Sequence, residues 1–302
     1  MSNQRAAASS TSNSETEQPD PAELTEALGE VRRQLNEEIK VRRGRVKPIE
    51  EALRALKDPH RNAVALFEAT VALEHPAPEL KLPAAYRETV NGLRALADFN
   101  LAELQFTFAR DLRAAFKEAG VKLEGTPAEL VAELFVIKPD VRRKAVEITL
   151  SRQPASNKKI KLDVDATLAA FTRVRREICE RKTDYNELLK EIYEAYARTL
   201  KLAGKQSGAR MGIVDCYREL VLVRQPLSFR KTPSKLSFLD YPKTHFAFDM
   251  LELRRQGKLT YEGQRLNLGT ATIDVGSDSA RAMFLLTSAT EGQFIKDLYF
   301  TQ

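Results

Sequence analysis

The sequence predicts a mainly helical protein with a smaller α+β part, and three observations lead to that class. Apolar residues recur at steps of three and four over most of the first two hundred positions, the period of an amphipathic helix. Around residues 134–150 the pattern changes to apolar runs either side of a turn, as in a β-hairpin. The last quarter breaks into short apolar runs punctuated by glycine and proline, which suits a small antiparallel sheet. The expected layout is a disordered tail over residues 1–20, a helical body over 21–204 with its hairpin near 134–150, and a basic α+β module over 205–302.

The tail, rich in Ser, Thr, Asn, Glu and Gln, has too little apolar surface to offset chain entropy. Pro21 suits a first helical position, and Leu24, Leu28, Val31, Leu35 and Ile39 follow as one stripe on a densely charged helix. The stripe resumes at Ile49, Leu53 and Leu56 beyond Pro48, which is expected to kink or break the helix. Further helices are expected at 61–74, 83–97 and 101–119, the last with Asn100 as N-cap and Gly120 as its C′ glycine. The sequence Leu134-Phe-Val-Ile137, Lys138-Pro-Asp140, Ala145-Val-Glu-Ile-Thr-Leu150 reads as strand, turn, strand.

Beyond it, Leu168, Phe171, Val174, Ile178, Tyr185, Leu189, Ile192, Tyr196 and Leu200 approach a coiled-coil-like heptad seam. Asp165 is a candidate cap for its start, and Asp184 for a second helix within it. This seam and the 24–56 stripe are expected to be intramolecular core; a stripe that extends beyond the body would become an oligomerisation or partner-docking seam. Residues 211–224 read as a further helix or helix–strand unit. A helix over 244–256, ending at Gly257, is followed by Lys258–Tyr261, Glu262-Gly263-Gln264 and Arg265–Leu268. This order of basic helix end, glycine and two-strand hairpin resembles the last helix and wing of winged-helix domains over about 25 residues. The resemblance implies that Arg254 and Arg255 end a groove-facing helix while Lys258 and Arg265 flank the wing. Two more strands, 282–287 and 294–300, close the chain.

Composition narrows the function class. Of 302 residues, 43% are hydrophobic and 30% charged, which fits a globular protein with many charged helices. No run of 18 apolar residues occurs, so no membrane-spanning helix is expected. The N-terminus lacks a basic segment followed by an apolar one, so it does not read as a secretory signal. The two cysteines, Cys179 and Cys216, sit in helical patterns without metal-ligand spacing and are expected as buried thiols of a cytoplasmic protein.

Charge is the most informative feature. Residues 141–265 hold 27 Lys/Arg against 15 Asp/Glu, an excess of twelve in a chain whose overall net charge is +6. Such a concentration attracts anionic partners, nucleic acid above all. The group with fewest acidic neighbours is Arg230, Lys231, Lys235, Lys243, Arg254, Arg255, Lys258 and Arg265, interleaved with Phe229, Phe238, Tyr241, Phe246 and Phe248. These eight cations are the expected nucleic-acid-binding residues, with DNA favoured over RNA and contacts chiefly to phosphates. Phe246, Met250 and Leu253 share one helical face and are expected in the core. A second group, Arg173, Arg175, Arg176, Arg181 and Lys182, shares its helix with Glu177 and Glu180 and reads as a solvated face.

Catalytic signatures are scarce. Gly204-Lys205-Gln-Ser-Gly208 has the wrong order for a phosphate-cradling loop and reads as a linker. His60, His75 and His245 have no partner at metal-ligand spacing. Asp140 and Glu147 partly mimic a divalent-metal nuclease pair, although Thr149 stands where a lysine belongs and Pro139-Asp140 is explained by turn chemistry. No cofactor or metal is expected. The leading expectation is a non-catalytic DNA-binding accessory subunit of a larger assembly, docking protein subunits through its helical body, with self-association of the seams as a further expectation. The alternatives are a structural adaptor or oligomerisation protein without a nucleic-acid role, and a metal-dependent nuclease-like enzyme centred on Asp140 and Glu147.

Overall fold

The computed structural model describes residues 21–75, 83–156, 158–276, 278–287 and 291–302. The expected tail over residues 1–20 lies outside them. Among the described residues about 53% are helical and about 19% lie in antiparallel sheet, so the class is α+β with helix in the majority. The chain divides into two compact units, residues 1–98 and 99–302. The division expected near residue 204 falls inside the second unit, whose core draws on residues from both sides of it.

The first unit holds α1 (Pro21–Ala55), α2 (Ala63–Glu74) and the start of α3 (Tyr86–Glu118). Pro48 lies inside α1 rather than ending it. Proline lacks the N–H that would bond the carbonyl of Gly44, and Gly44 is exposed, so water can take that donor's place. The core here is small. Ala52 and Ala55 of α1 pack with Leu66, Ala69 and Leu73 of α2 and with Val90 and Ala97 of α3. Asn100, expected as a cap, is instead a buried interior residue of one continuous 33-residue helix. Burial of the 101–116 face, with Leu101, Phe108, Leu112 and Phe116, outweighs the local preference of Asn for a helix start.

In the second unit, α3 ends at Gly120, which has φ of 75°. Val121 N–H donates to Phe116 O and Gly120 N–H to Lys117 O, a paired closure that a left-handed glycine permits. An antiparallel meander follows: β1 (Leu123–Thr126), β2 (Glu129–Ala132), β3 (Phe135–Asp140) and β4 (Ala145–Leu150). The expected hairpin is its second half. The far edge of β4 pairs with β5 (Gln153–Pro154) and β6 (Ile160–Lys161). Leu130, Phe135, Ile137, Ile148 and Leu150 form the buried face, and Phe171 of α4 (Val164–Cys179) lies 4.9 Å from the Phe116 ring and 5.6 Å from that of Phe135.

Two helices occupy 164–202, divided before Asp184. Asp163, rather than Asp165, caps α4 by accepting from Ala166 N–H. Asp184 caps α5 (Tyr185–Leu202), accepting from Asn186 and Glu187 N–H. The apolar positions of this stretch belong to the core of the unit, so it is an intramolecular seam. Next come β7 (Met211–Gly212), α6 (Ile213–Val223), α7 (Leu227–Lys231) and α8 (Lys243–Arg255). Gly257, with φ of 67°, closes α8 as Gly120 closes α3, with Lys258 N–H donating to Leu253 O. Then β8 (Thr260–Tyr261) turns through Glu262-Gly263, both at positive φ, into β9 (Gln264–Thr270). A short α9 (Ile273–Gly276), β10 (Met283–Leu286) and β11 (Gly292–Thr301) complete a second sheet in the order β10-β11-β9-β8, with β7 also on β11. Phe300 of β11 packs against Tyr193 and Tyr196 of α5.

Candidate functional site

The helix–glycine–hairpin order of the winged-helix resemblance is present, but its helix is not free to enter a groove. Thr244, residues 246–251 and Leu253 of α8 are all buried, so the helix is a core element packed on nearly every side. Charged or polar positions that reach its surface are few, chiefly His245, Glu252 and Arg255. The groove-facing role expected for α8 is therefore overturned by its own burial.

The eight expected cations fall into two groups. Arg230 and Lys231 end α7, Lys235 follows in an exposed loop, and Lys243 opens α8. Arg254 and Arg255 lie in the last turn of α8, and Lys258 and Arg265 lie beyond it. The rise from Lys243 to Arg254 is about 17 Å at 1.5 Å per residue. Several of these cations already have work inside the fold. Arg230 Nη2 donates to Val223 O at 2.5 Å, tying α7 to the end of α6. Arg254 is half-buried and donates to Leu286 O at 3.3 Å, and burial pushes its pKa down. Arg255 pairs with Glu252 at 2.9 Å. Lys231, Lys235 and Arg265 remain exposed.

The interleaved aromatics are anchors rather than platforms for bases. Tyr241, Phe246 and Phe248 are buried, and the Phe229 and Phe238 rings meet edge-on at 5.4 Å. Around them the 227–239 segment exposes Leu227, Leu236, Phe238 and Leu239 beside its three cations.

A buried polar network surrounds α8, and composition alone did not reveal it. Asp249 is fully buried and accepts from Arg181 at 2.6 Å and from the Tyr241 hydroxyl at 2.7 Å. Arg181 is thus a structural ion-pair partner, not part of a solvated face. Burial raises the pKa of Asp249, a shift that Arg181 opposes. Arg224 lies 4.3 Å over the Tyr241 ring and 3.0 Å from Glu191 of α5. His245, in the first turn of α8, has its pKa lowered to about 4, chiefly by burial and then by Arg181 and Arg224. Sequence did hold one signal for this network: Asp249 interrupts an otherwise apolar run, Phe246 to Leu251, and a charge in such a run needs a partner.

A second feature lacked any sequence signal. Ser151 and Arg152 both have positive φ, 54° and 60°, in the turn from β4 to β5, where Asn-Gly would be usual. The Ser151 hydroxyl donates to Phe284 O, and the Arg152 guanidinium sits 4.3 Å from the Phe284 ring and 5.1 Å from that of Phe294. These contacts hold the turn against β10. The groove beside it, about 580 Å³, is lined by the outer face of the meander, with Glu129, Lys138, Glu147 and Arg152 balancing in charge. Asp140 and Glu147 share that face, with Lys138 directly opposite Glu147, and Asp140, the last residue of β3, accepts from Arg143 N–H in the turn that follows. Among the described residues no three His, Cys, Asp or Glu gather as a metal site would need.

A continuous exposed apolar stripe runs along α1. Leu28, Val31, Leu35, Ile39, Val46, Ile49 and Leu53 are each between 43% and 69% exposed. The side chain of Leu24 lies outside the described set. The expectation that this stripe is core is overturned: its described side chains from Leu28 to Leu53 are exposed, and among the described residues Ala52 and Ala55 are the ones of α1 that reach the α2–α3 core. No helix among the described residues is long and apolar enough to cross a membrane. Comparison of the chain with protein-family models, curated proteins and solved structures finds no match.

Proposed function

We propose that this chain is a non-catalytic assembly subunit that docks a protein helix along α1 and contacts DNA phosphates through its exposed cations. The exposed stripe of α1 carries the first part. Helices in proteins gain most of their stability from covering an apolar face, and an apolar patch rimmed by charge marks a protein-interaction surface. A test is to replace Leu28 and Leu35 with Lys and follow urea unfolding of the rest of the chain, in protein diluted until it is monomeric so that no partner covers the stripe. An unchanged midpoint, within about 0.5 kcal/mol as for surface positions, supports a stripe free for a partner. A loss of about 3 kcal/mol or more, as for buried leucines, would mean the stripe packs within the chain and would overturn the reading.

The DNA contact is a second reading, supported by the local excess of twelve positive charges and by the exposure of Lys231, Lys235 and Arg265. Duplex DNA should shift with this protein at low salt. Reversal of those three charges should weaken binding and flatten its salt dependence by about one unit of slope per lost contact. Absence of any shift at about 50 mM salt removes the nucleic-acid reading and leaves the adaptor.

A further inference from the structure

We propose that the occupant of the α1 stripe is α1 of a second copy of this chain, running antiparallel. The inference rests on the assembly reading above and names its partner. Three observations lead to it.

The stripe is long enough for a stable pair. From Leu28 to Leu53 it rises about 38 Å at 1.5 Å per residue. With about half of each of seven large side chains in solvent, two facing copies remove on the order of 1,200 Å² from water, the lower bound for a specific dimer.

The spacing superimposes on itself when the helix is reversed. Placing Leu28 opposite Ile49 puts Val31 opposite Val46 and Leu35 opposite Arg42, and sets the two copies of Ile39 on either side of the dyad, offset by about 1.5 Å along the axis. Apolar layers therefore meet along the pair. Arg42, exposed and already 3.7 Å from Glu38, lies along the stripe, where its stem can cover Leu35 while its charge stays in water.

Charge selects the direction. Residues 21–38 contain five Glu and two Arg, whereas residues 39–48 contain five Lys/Arg and no acid. A parallel pair would set five cations against five. The antiparallel pair lays each acidic half along the partner's basic half, so the arrangement that matches the apolar layers also matches the field.

The test uses the full chain. Sedimentation or mass photometry at micromolar concentration should give twice the 34.0 kDa chain. Ile39→Lys should weaken self-association about a hundred-fold, because it buries a charge against its own copy at the dyad. Orientation is read from disulfide formation between singly substituted chains, Val31→Cys and Val46→Cys. The native thiols serve as a quiet background, since burial pushes Cys179 to about 11 and Cys216 to about 12. Rapid cross-linking only when the two variants are mixed supports the antiparallel pair. Cross-linking of each variant with itself would mean a parallel pair and overturns the proposal. A strict monomer also overturns it. In that case the assembly reading survives if Leu28 and Leu35 still tolerate lysine without loss of stability, and falls if they do not.

Discussion

His245 should stay neutral in the folded protein well below the pH at which an ordinary histidine charges. It sits in the first turn of α8, where the helix end carries partial positive charge. Burial lowers its pKa to about 4, with Arg181 and Arg224 adding to the effect and Asp240 opposing it. The sign follows from linkage. In the unfolded chain the imidazole takes its proton near the usual 6.5, and in the folded protein only near 4. Between those values protons favour the unfolded chain, so stability present above the upper value is lost as pH falls. The full difference corresponds to about 3 kcal/mol, of which about 2 kcal/mol is lost by pH 5. Asp249 acts in the opposite direction, since its raised pKa makes the folded state bind a proton more readily. The total slope of stability with pH therefore mixes the two groups, and the contrast with His245→Asn isolates the imidazole. Urea unfolding at pH 7 and pH 5 should show the variant losing about 2 kcal/mol less than the parent. The chain has only three histidines, so imidazole resonances can be assigned by single substitution and titrated directly. A His245 midpoint near 6.5 in folded protein would refute the burial argument, whatever the unfolding data show.

Two further substitutions probe the frame that holds this region. Asp249→Ala leaves Arg181 without its buried carboxylate and should cost about 3 kcal/mol, while replacing both residues by apolar ones should recover most of that loss; a single-variant cost under about 1 kcal/mol in urea unfolding would show that Arg181 simply turns to solvent. Gly125 has φ of +96°, and a Cβ there would sit only 2.3 Å from the carbonyl oxygen of Glu129. Gly125→Ala should therefore destabilise the β1–β2 hairpin by about 2 kcal/mol, whereas Gly44→Ala, which has open space on α1, should be neutral or stabilising by up to about 1 kcal/mol. Equal melting shifts for the two alanines would contradict this account of the turn.

What the sequence made legible was chiefly punctuation. Gly120 and Gly257 end their helices, Asp184 starts α5, and the strands of the last sheet lie close to where short apolar runs place them. Strands β1 and β2 were hidden, as were the two-residue β5 and β6. In β1 and β2 the chain reads Leu123-Glu-Gly-Thr-Pro-Ala-Glu-Leu-Val-Ala132, and its polar and turn residues mask a pairing in which Leu130 and Ala132 reach the core. Asn100 misled because a cap preference worth about 1 kcal/mol yields to burial of the continuous α3 face. The expected site suffered from a different limit. A formal charge count does not separate a cation facing solvent from one already engaged. Arg181, Arg224 and Arg254 all count toward the excess of twelve, yet each holds the core together through Asp249, Glu191 or a backbone carbonyl. The cations left for a ligand are fewer than the sequence advertises, and they lie beyond both ends of α8.

The same reasoning, applied to α1, explains why that helix is the stronger functional signal. Gly29, Gly44 and Pro48 lie within it, and each disfavours an isolated helix, by about 1 kcal/mol for glycine and about 3 kcal/mol for proline. The intrahelical ion pairs Arg33–Glu30, Lys40–Glu37, Arg42–Glu38 and Lys47–Glu51 are all exposed and return only a few tenths of a kcal/mol each. Local terms therefore do not balance, and the compensating term is the apolar stripe, which contributes only when something covers it. Under the proposed pairing, the seven large apolar residues kept in one stripe across two glycines and a proline supply that term to both copies. On that argument folding of α1 and assembly are one equilibrium, and the polarity of its charges decides which way round the partner lies.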